Sequence, residues 1–260
     1  HNDKYAHTLR NDWLLIGKIV LWLLPVAVLL KLQNDFGTML VFFAIVGGVT
    51  LVSGISWKII IPLYGTIIIL GAAVILLVVT PVGRSFLSHF FQAYQFKRID
   101  AWLSPATDTG SSAYQLWQSM QAIGSGQLFG NGFGKVSVYV PVRGSDMVYS
   151  VIGETFGFVG SVAVFFILIY LYLIIQMVKI SFDTRNAFYS YIATGVIMMI
   201  LFHVFENIGM SIDLLPLTGI PLPFISQGGS ALIGNMIGIG MILSMKFHNK
   251  DYMFSTAGDF

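Results

Sequence analysis

The sequence contains no cysteine, and only 10% of its 260 residues are charged. The lack of cysteine excludes disulfide bonds and thiol chemistry. The shortage of charge argues against a soluble domain, because soluble domains carry about 25% charged residues. Hydrophobic residues instead make up 56% of the chain, more than a soluble core would hold. This composition predicts a polytopic membrane protein.

Several catalytic and binding motifs are missing as well. The sequence has no nucleotide-binding loop, no zinc-ligand spacing and no nucleophile elbow. Gly130, Gly132 and Gly134 form a glycine pattern, but it neither follows a strand nor opens an obvious helix, which argues against a dinucleotide site. We therefore expect no nucleic-acid partner, and the sequence assigns no metal ligands.

Apolar runs of about 20 residues are long enough to span a membrane as helices. Six segments meet this requirement: Trp13–Leu32, Gly37–Gly54, Trp57–Thr80, Val148–Val178, Ala187–Ser211 and Ser230–Met245. They predict an all-α fold with six transmembrane helices in a single membrane domain over residues 1–260. The fourth run is unusually long, so we expect it to be tilted or to extend beyond the bilayer. Because the sequence begins at His1 rather than Met, we expect it to be part of a longer chain.

The short flanks of these helices carry their basic residues mainly on one side. Lysine and arginine in short loops mark the cytoplasmic side, which predicts that both ends are cytoplasmic and that residues 81–147 form a large extracellular loop. On the other side, Lys31 is the only basic residue in a short joint. The residues of the cytoplasmic set are Lys4, Arg10, Lys18, Lys58, Lys179, Arg185, Lys246 and Lys250.

The extracellular loop has features of an ordered and functional segment. Its aromatic residues Phe90, Phe91, Tyr94 and Phe96 precede the polar stretch Lys97–Asp100, a pattern typical of an amphipathic segment on the membrane surface. Repeated glycines between residues 124 and 134 predict tight turns and close backbone approach. Because long ordered loops are usually functional, we expect the chemistry of the protein to lie here.

Two carboxylates stand near the end of this loop. Asp146 follows Ser145 at a predicted helix start, and its spacing alone favours a helix-capping role. Glu154 lies about two turns inside an apolar helix, where an ionisable group is costly and usually faces the protein interior. A buried structural hydrogen bond and a functional role both remain open for Glu154.

Other polar groups occur at helix positions farther along the chain and near its start. His203, Glu206 and Asn207 share one helix face. We interpret them as a structural polar cluster, with a proton relay as an alternative; a metal site is disfavoured because a second helix with matching ligands is missing. Asp35 lies in the joint between the first two helices, where a turn residue is expected.

The segment before the last helix is interrupted. Prolines cannot continue a helix, and non-helical backbone at membrane depth must be buried in protein or line a wet cavity. A serine is expected to cap the last helix, and the adjacent glycines favour an anion site at its first amides. The residues concerned are Pro216, Pro221 and Pro223, followed by Ser226, Gln227, Gly228, Gly229 and Ser230.

Three stretches resemble the SEDS family (shape, elongation, division and sporulation), which includes RodA and FtsW. The first is QNDFGT at 33–38, the second is YQLWQSMQAIGSG at 114–126 together with 138–160, and the third is NIGMSIDLLPLTGIPLPFISQGGS at 207–230. The resemblance covers about residues 12–246, and the short tail after them is similar to the RodA branch. Asn34, Asp213 and Gln227 depart from the family's usual proline, glycine and tyrosine.

The resemblance implies a membrane enzyme of about ten spans, of which about six are present. Such enzymes polymerise lipid II, a disaccharide peptide linked to undecaprenyl pyrophosphate, and work with a class B penicillin-binding protein. Asp146 matches the family's essential loop aspartate, which overrides the capping interpretation. The positions that match residues lining or supporting the outer cavity are Arg98, Gln115, Gln118, Ser119 and Glu154.

The expected chemistry is attack of a sugar hydroxyl on an anomeric carbon that carries the lipid pyrophosphate, with Asp146 as general base. Arg98 is the expected partner of the leaving pyrophosphate, with Lys97 and Arg143 as alternatives, and Mg²⁺ or Mn²⁺ is a further option as cofactor. Ser226, Gly228 and Gly229 would bind the same anion. A flippase using Glu154 and Glu206, or a scaffold that activates its penicillin-binding partner, remains as a competing hypothesis.

Overall fold

The computed structural model describes residues 8–89, 91–106, 112–183 and 186–248, and within these ranges every regular element is a helix. This confirms the all-α prediction. The helices, in chain order, are α1 (Leu9–Leu32), α2 (Phe36–Val52), α3 (Trp57–Val79), α4 (Pro81–Leu87), α5 (Ala93–Leu103), α6 (Ser112–Ser125), α7 (Val148–Val159), a π-helical segment (Gly160–Leu171), α8 (Tyr172–Asp183), α9 (Ala187–Ser211) and α10 (Gly229–His248).

All six predicted apolar segments are helical, but they differ in length. Four helices of the described chain are long and apolar enough to cross a membrane, namely α1, α3, α9 and most of α10. α2 has only 17 residues, and the fourth predicted segment is divided. Large apolar side chains face outward from the bundle: Trp22 on α1 is 80% exposed and Ile68 on α3 is 70% exposed. Such surfaces are compatible with lipid and not with water, so the chain is a polytopic membrane protein.

α9 forms the centre of the bundle and packs closely against α2. Ala193 and Ile200 of α9 are fully buried in the main apolar cluster. A Cβ atom placed on Gly48 of α2 would lie 2.1 Å from Cγ of Met198 on α9. The glycine therefore allows the two helix backbones to approach, as small residues do between membrane helices.

A buried carboxylate that the sequence analysis did not single out joins α1 to α3. Asp12 is 4% exposed, and its Oδ2 accepts a hydrogen bond from the backbone N–H of Ser56 at 3.1 Å. Ser56 is the N-cap residue of α3 and makes no side-chain capping bond itself. Asp12 thus satisfies one of the unpaired amides at the start of α3.

The predicted extracellular loop contains α4, α5 and α6. The predicted amphipathic segment is α5, which opens with a capping box formed by Gln92 and Gln95, and an ion pair between Arg84 and Asp100 joins α4 to α5. Phe90, also assigned to this segment, lies outside the described residues. The described part of this loop therefore contains regular secondary structure.

The single long helix predicted over Val148–Val178 is wrong, because the helix breaks at Gly157. This residue has φ 67° and ψ −169°, a conformation that side chains disfavour. Beyond it the chain becomes π-helical from Gly160 to Leu171. A hydropathy pattern reports only that these residues are apolar, so the break could not be read from it.

A stretch of the loop, residues 127–132, pairs with the backbone groups that the break leaves free. The N–H groups of Asn131 and Gly132 donate to the carbonyl oxygens of Glu154 and Thr155 at 2.9 and 3.1 Å. In the other direction, Phe158 N–H donates to Gln127 O at 2.8 Å, and Val159 N–H donates to Leu128 O at 3.0 Å. Buried backbone groups require such partners, so the loop is part of the membrane domain.

The predicted interruption before the last helix is confirmed, whereas the predicted serine cap is wrong. α10 begins at Gly229, and its first helical hydrogen bond runs from Leu232 N–H to the carbonyl of Gly228 at 3.0 Å. Gly228 is therefore the residue before the helix, Ser226 lies outside it, and Ser230 is in its first turn.

We predict that Gly157→Ala destabilises the protein. The new Cβ would lie 2.3 Å from the backbone nitrogen of Gly130, and the left-handed conformation alone costs about 1–3 kcal/mol for other residues. The measurement is thermal unfolding of the detergent-solubilised protein. Gly65→Ala is the matched control, since nothing lies within 4 Å of a Cβ there, and alanine favours a helix. Equal unfolding temperatures for the two variants would contradict the role of Gly157.

Candidate functional site

Asp146 lies in a tight turn immediately before α7. The N–H of Ser145 donates to the carbonyl of Val142 at 3.1 Å, and Val142 has φ 55°. The N-cap residue of α7 is Met147, and no side chain caps this helix. The capping role that spacing favoured for Asp146 is therefore wrong, and its carboxylate remains free for other contacts.

The Asp146 carboxylate lies against the backbone of the interrupted segment. A Cβ placed on Gly219 would be 3.5 Å from Oδ2 of Asp146. Burial raises the pKa of the Asp146 carboxyl above its usual value, while a hydrogen bond from Ser145 and the positive charge of Arg98 act in the opposite direction. A raised pKa brings a carboxylate closer to the range in which it can exchange protons at neutral pH.

Asn207 of α9 holds Asp146 and the interrupted segment together. Its side chain is fully buried, and its Nδ2 donates to the carbonyl oxygens of Asp146 at 2.7 Å and Ile220 at 2.8 Å. These bonds support the structural interpretation of the polar face of α9 at Asn207. His203, one turn earlier, donates a hydrogen bond from Nδ1 to the carbonyl oxygen of Met199 at 2.7 Å.

Arg98 reaches the same segment from α5. Its Nη1 donates to the carbonyl oxygen of Thr218 at 3.2 Å, and its guanidinium lies 5.7 Å from the ring centre of Tyr94. Trp102, one turn later on α5, donates from Nε1 to the carbonyl of Asp213 at 3.0 Å. These bonds fix α5 against residues 213–218, so the predicted cation and the predicted base lie beside two consecutive residues of one segment, Thr218 and Gly219.

Ser226 and Gln227 attach the end of the interrupted segment to the turn that carries Asp146. The Ser226 hydroxyl donates to the carbonyl of Ser145 at 2.6 Å and accepts the N–H of Leu222 at 2.8 Å. Gln227 N–H donates to the carbonyl of Gly144 at 2.8 Å. The structure therefore gives Ser226 a positioning role.

The prolines and glycines of the interrupted segment have different surroundings. Pro223 is buried, and its carbonyl accepts the hydroxyl of Tyr170 at 2.6 Å. Nothing lies within 4 Å of a Cβ on Gly229, and one on Gly228 would touch only Ala231. The two glycines are open to a ligand, so the anion site expected there stays a prediction.

α6 supplies the predicted residues Gln115, Gln118 and Ser119. Ser119 is fully buried and donates from its hydroxyl to the carbonyl of Ser211, the last residue of α9, at 3.0 Å. Gln115 and Gln118 are half-buried on the same helix. Ser119 therefore joins α6 to the end of α9 that carries Asn207, a supporting position for the site.

Glu154 holds the loop from inside. It is 3% exposed, and its Oε1 accepts the N–H groups of Ser137 at 2.6 Å and Val138 at 3.2 Å. These bonds support the structural interpretation of Glu154. They also explain how a carboxylate can be buried there, since backbone amides offset the cost of removing its charge from water.

Two cavities are lined by residues that neighbour Asp146. The first, which we call the α2–α9 cavity, has a volume of about 350 Å³ and is lined by Asp35, Thr38, His203 and residues 218–221 with their apolar neighbours. Asp35 also caps α2, since its carboxylate accepts the backbone N–H of Thr38 at 3.0 Å and the Thr38 hydroxyl at 2.6 Å, which agrees with its predicted turn position. Pro221 belongs to the same lining.

The second cavity, which we call the α7 cavity, has a volume of about 470 Å³. Its polar lining residues are Lys135, Arg143, Glu154, Thr155 and Gln227. Of these, Lys135, Thr155 and Gln227 were not among the predicted site residues; the only sequence signal for Lys135 was its place in a glycine-rich loop. Across the described ranges, no three histidine, aspartate or glutamate side chains are grouped so that they could hold a metal ion.

Comparisons with known proteins identify relatives of this chain. The chain is similar to the peptidoglycan glycosyltransferase MrdB of Escherichia coli K12 (35% identity over 236 residues, 89% of this chain and 60% of MrdB). It is also similar to a probable peptidoglycan glycosyltransferase FtsW of Hydrogenovibrio crunogenus (28% identity, 99% of this chain and 64% of that protein).

A solved structure shows the same likeness in three dimensions. A chain from a peptidoglycan synthase complex that coordinates polymerization and crosslinking matches with a TM-score of 0.70 and 25% identity, over 91% of this chain and 63% of that one. The present chain thus spans less than two thirds of the length of these relatives. The family described as "Cell cycle protein" (FtsW, RodA and SpoVE) matches residues 2–251, and the chain belongs to that family, which confirms the SEDS resemblance.

Proposed function

We propose that the protein containing this chain is a peptidoglycan glycosyltransferase. It would polymerise lipid II into glycan strands at the outer face of the cytoplasmic membrane, for cell elongation and shape. The observation that carries the proposal is the placement of Asp146: a half-buried carboxylate with no capping role, beside the segment that Arg98 contacts. The similarity to MrdB and FtsW supports the choice of reaction.

Asp146 acts in this proposal as the general base. The attacking sugar hydroxyl forms a bond from its oxygen to the anomeric carbon of the second lipid-linked sugar and gives its proton to the Asp146 carboxylate. The bond between that carbon and the pyrophosphate oxygen breaks, and its electron pair leaves with the prenyl pyrophosphate. Arg98 stabilises the negative charge that develops on the leaving group.

The residues around Asp146 fit a divalent cation only in part. Magnesium at such sites is held by one or two carboxylates, water and substrate phosphates. Asp146 can supply one carboxylate, and the other ligands of Mg²⁺ or Mn²⁺ would come from water and lipid pyrophosphate. Such an ion would neutralise phosphate charge.

The partner and the orientation follow from the same proposal. A class B penicillin-binding protein would crosslink the strands, and the similar solved chain comes from a complex that coordinates polymerization with crosslinking. Phe158 and Phe205 are 65% and 55% exposed on α7 and α9, where a partner's membrane helix could dock among lipids. Both ends of the chain would be cytoplasmic, which places the loop and Asp146 outside.

The experiment that tests the proposal uses the purified full-length protein and labelled lipid II. Glycan polymer formed in detergent supports the glycosyltransferase. Movement of lipid II across a liposome without polymer would instead show a flippase, and the absence of both in the presence of an active partner would show a scaffold.

We predict that Asp146→Asn lowers polymerisation by about a hundred- to ten-thousandfold, the usual loss when a general base is removed. The amide is of similar size but cannot take up the proton. The readout is polymer yield from labelled lipid II at equal amounts of folded protein. Asp100→Asn is the matched control, because Asp100 is an exposed partner of Arg84 and such pairs contribute about 0–1 kcal/mol. Substantial polymer from the Asp146 variant would exclude it as the base.

The rate of polymerisation should also depend on pH. Because the base works only when ionised and burial raises the pKa of Asp146, kcat/KM should fall as the pH is lowered, with an inflection above the usual aspartate value of about 3.9. The profile is measured with lipid II in buffers of equal ionic strength. A rate that stays constant down to the usual aspartate range would contradict this role.

We predict that Asn207→Leu lowers both stability and polymerisation. It leaves the carbonyls of Asp146 and Ile220 without the donor they share, and an unpaired buried polar group costs about 1–3 kcal/mol. Thermal unfolding and polymer yield are compared with those of Thr194→Val. Thr194 is the control because its hydroxyl bonds only within α9, to Ser190 O at 2.8 Å. Wild-type activity in the Asn207 variant would show that this contact does not position Asp146.

A further inference from the structure

The α7 cavity lies on the other side of the Asp146 turn from the α2–α9 cavity. Its wall includes Arg143 and Gly144, which precede Asp146, and Val148, which follows it. Gly219, which faces the Asp146 carboxylate, lines the α2–α9 cavity instead. The turn that carries Asp146 therefore lies between residues that line two separate cavities, each large enough for part of a ligand.

The α7 cavity has a net positive lining. Lys135 is exposed and Arg143 is half-buried, and within the described ranges the ion pair found is the one between Arg84 and Asp100. The carboxylate of Glu154 is already engaged with two backbone amides through Oε1. Lys135 and Arg143 are thus left with their charges available to an anion.

Apart from Thr155 and Gln227, the remaining side chains of the α7 cavity wall are apolar. Phe133 and Phe156 meet edge to face with ring centres 5.1 Å apart. The other apolar residues of the lining are Val136, Val148, Val151, Ile152 and Ile225. Cations beside a long apolar wall suit a ligand that combines an anionic group with a hydrocarbon chain.

We propose that the α7 cavity binds the prenyl pyrophosphate group of a second lipid-linked substrate, with Lys135 and Arg143 as its phosphate ligands. This inference rests on the proposed function: joining two lipid-linked molecules at one base requires two binding sites that face it. The α2–α9 cavity, with Arg98 at Thr218, holds one molecule, and the α7 cavity holds the other.

Gln227 is an exposed residue of the α7 cavity lining, so a negative charge placed there tests whether this cavity binds an anion. Its amide oxygen lies 2.7 Å from where a Cβ on Gly144 would be, so it rests on the turn beside the cavity. Gln227→Glu keeps the size of this exposed side chain and adds a negative charge. It is expected to fold normally and to repel a pyrophosphate.

The experiment measures binding of undecaprenyl pyrophosphate to the full-length protein in detergent, by equilibrium titration at several salt concentrations. We expect two bound equivalents for the wild type and one for the double variant Lys135→Gln/Arg143→Gln. Gln227→Glu should weaken one of the two equivalents about tenfold or more, the usual effect of a charged hydrogen-bonding group. Lys58→Gln, in the first turn of α3, removes a charge from a residue that lines neither cavity and should leave both equivalents.

One equivalent in the wild type, or two unchanged equivalents in the double variant, would overturn the proposal. Displacement from the α7 cavity by a soluble disaccharide peptide would also overturn it, since the anion would then be a peptide carboxylate. Asp146→Asn should retain both equivalents while losing polymerisation. If the wild type binds two equivalents but forms no polymer, the proposed function fails and the second site stands.

Discussion

The candidate site depends on the two hydrogen bonds that the side-chain amide of Asn207 donates. One buried nitrogen donates to the carbonyls of Asp146 and Ile220, so two irregular segments are positioned by a single residue of α9. Arg98 bonds to Thr218 in the second of these segments. The proposed base and the proposed cation are therefore both held with reference to a rigid central helix, which is how functional groups keep their geometry in spite of lying on loops.

The break at Gly157 leaves backbone groups of α7 unpaired, and the adjacent loop provides their hydrogen-bond partners. A helix that ends within the protein leaves amides and carbonyls unpaired, and here the loop stretch 127–132 supplies partners on both sides of the break. These hydrogen bonds fix the loop that continues to Lys135, and Glu154 then holds Ser137 and Val138 of the same loop. The α7 cavity therefore has one wall from a helix and another from the loop that pairs with its break.

Much of this fold follows from the sequence, and the exceptions have a common cause. Apolar runs predicted the helices, the aromatic and charged stretch predicted α5, and the family motifs identified Asp146, Arg98 and Asn207. The break in α7 and the interior role of Asp12 were missed, and the cap assigned to Ser226 or Ser230 was wrong. In each case the deciding hydrogen bond joins residues distant in sequence, as between Asp12 and Ser56 or Ser226 and Ser145. Local patterns do not contain such pairings.

The shortness of α2 has a consequence for the surrounding lipid. Its 17 residues rise about 25 Å, whereas the hydrocarbon core of a bilayer is about 30 Å thick. A short apolar helix draws the bilayer thinner around it, while α1, with 24 residues, does not. The headgroup layer should therefore dip beside Asp35, at the mouth of the α2–α9 cavity. The lipid-linked substrate of the proposed reaction could then enter sideways from the leaflet without being lifted out of it, and bilayers of longer acyl chains would oppose this entry.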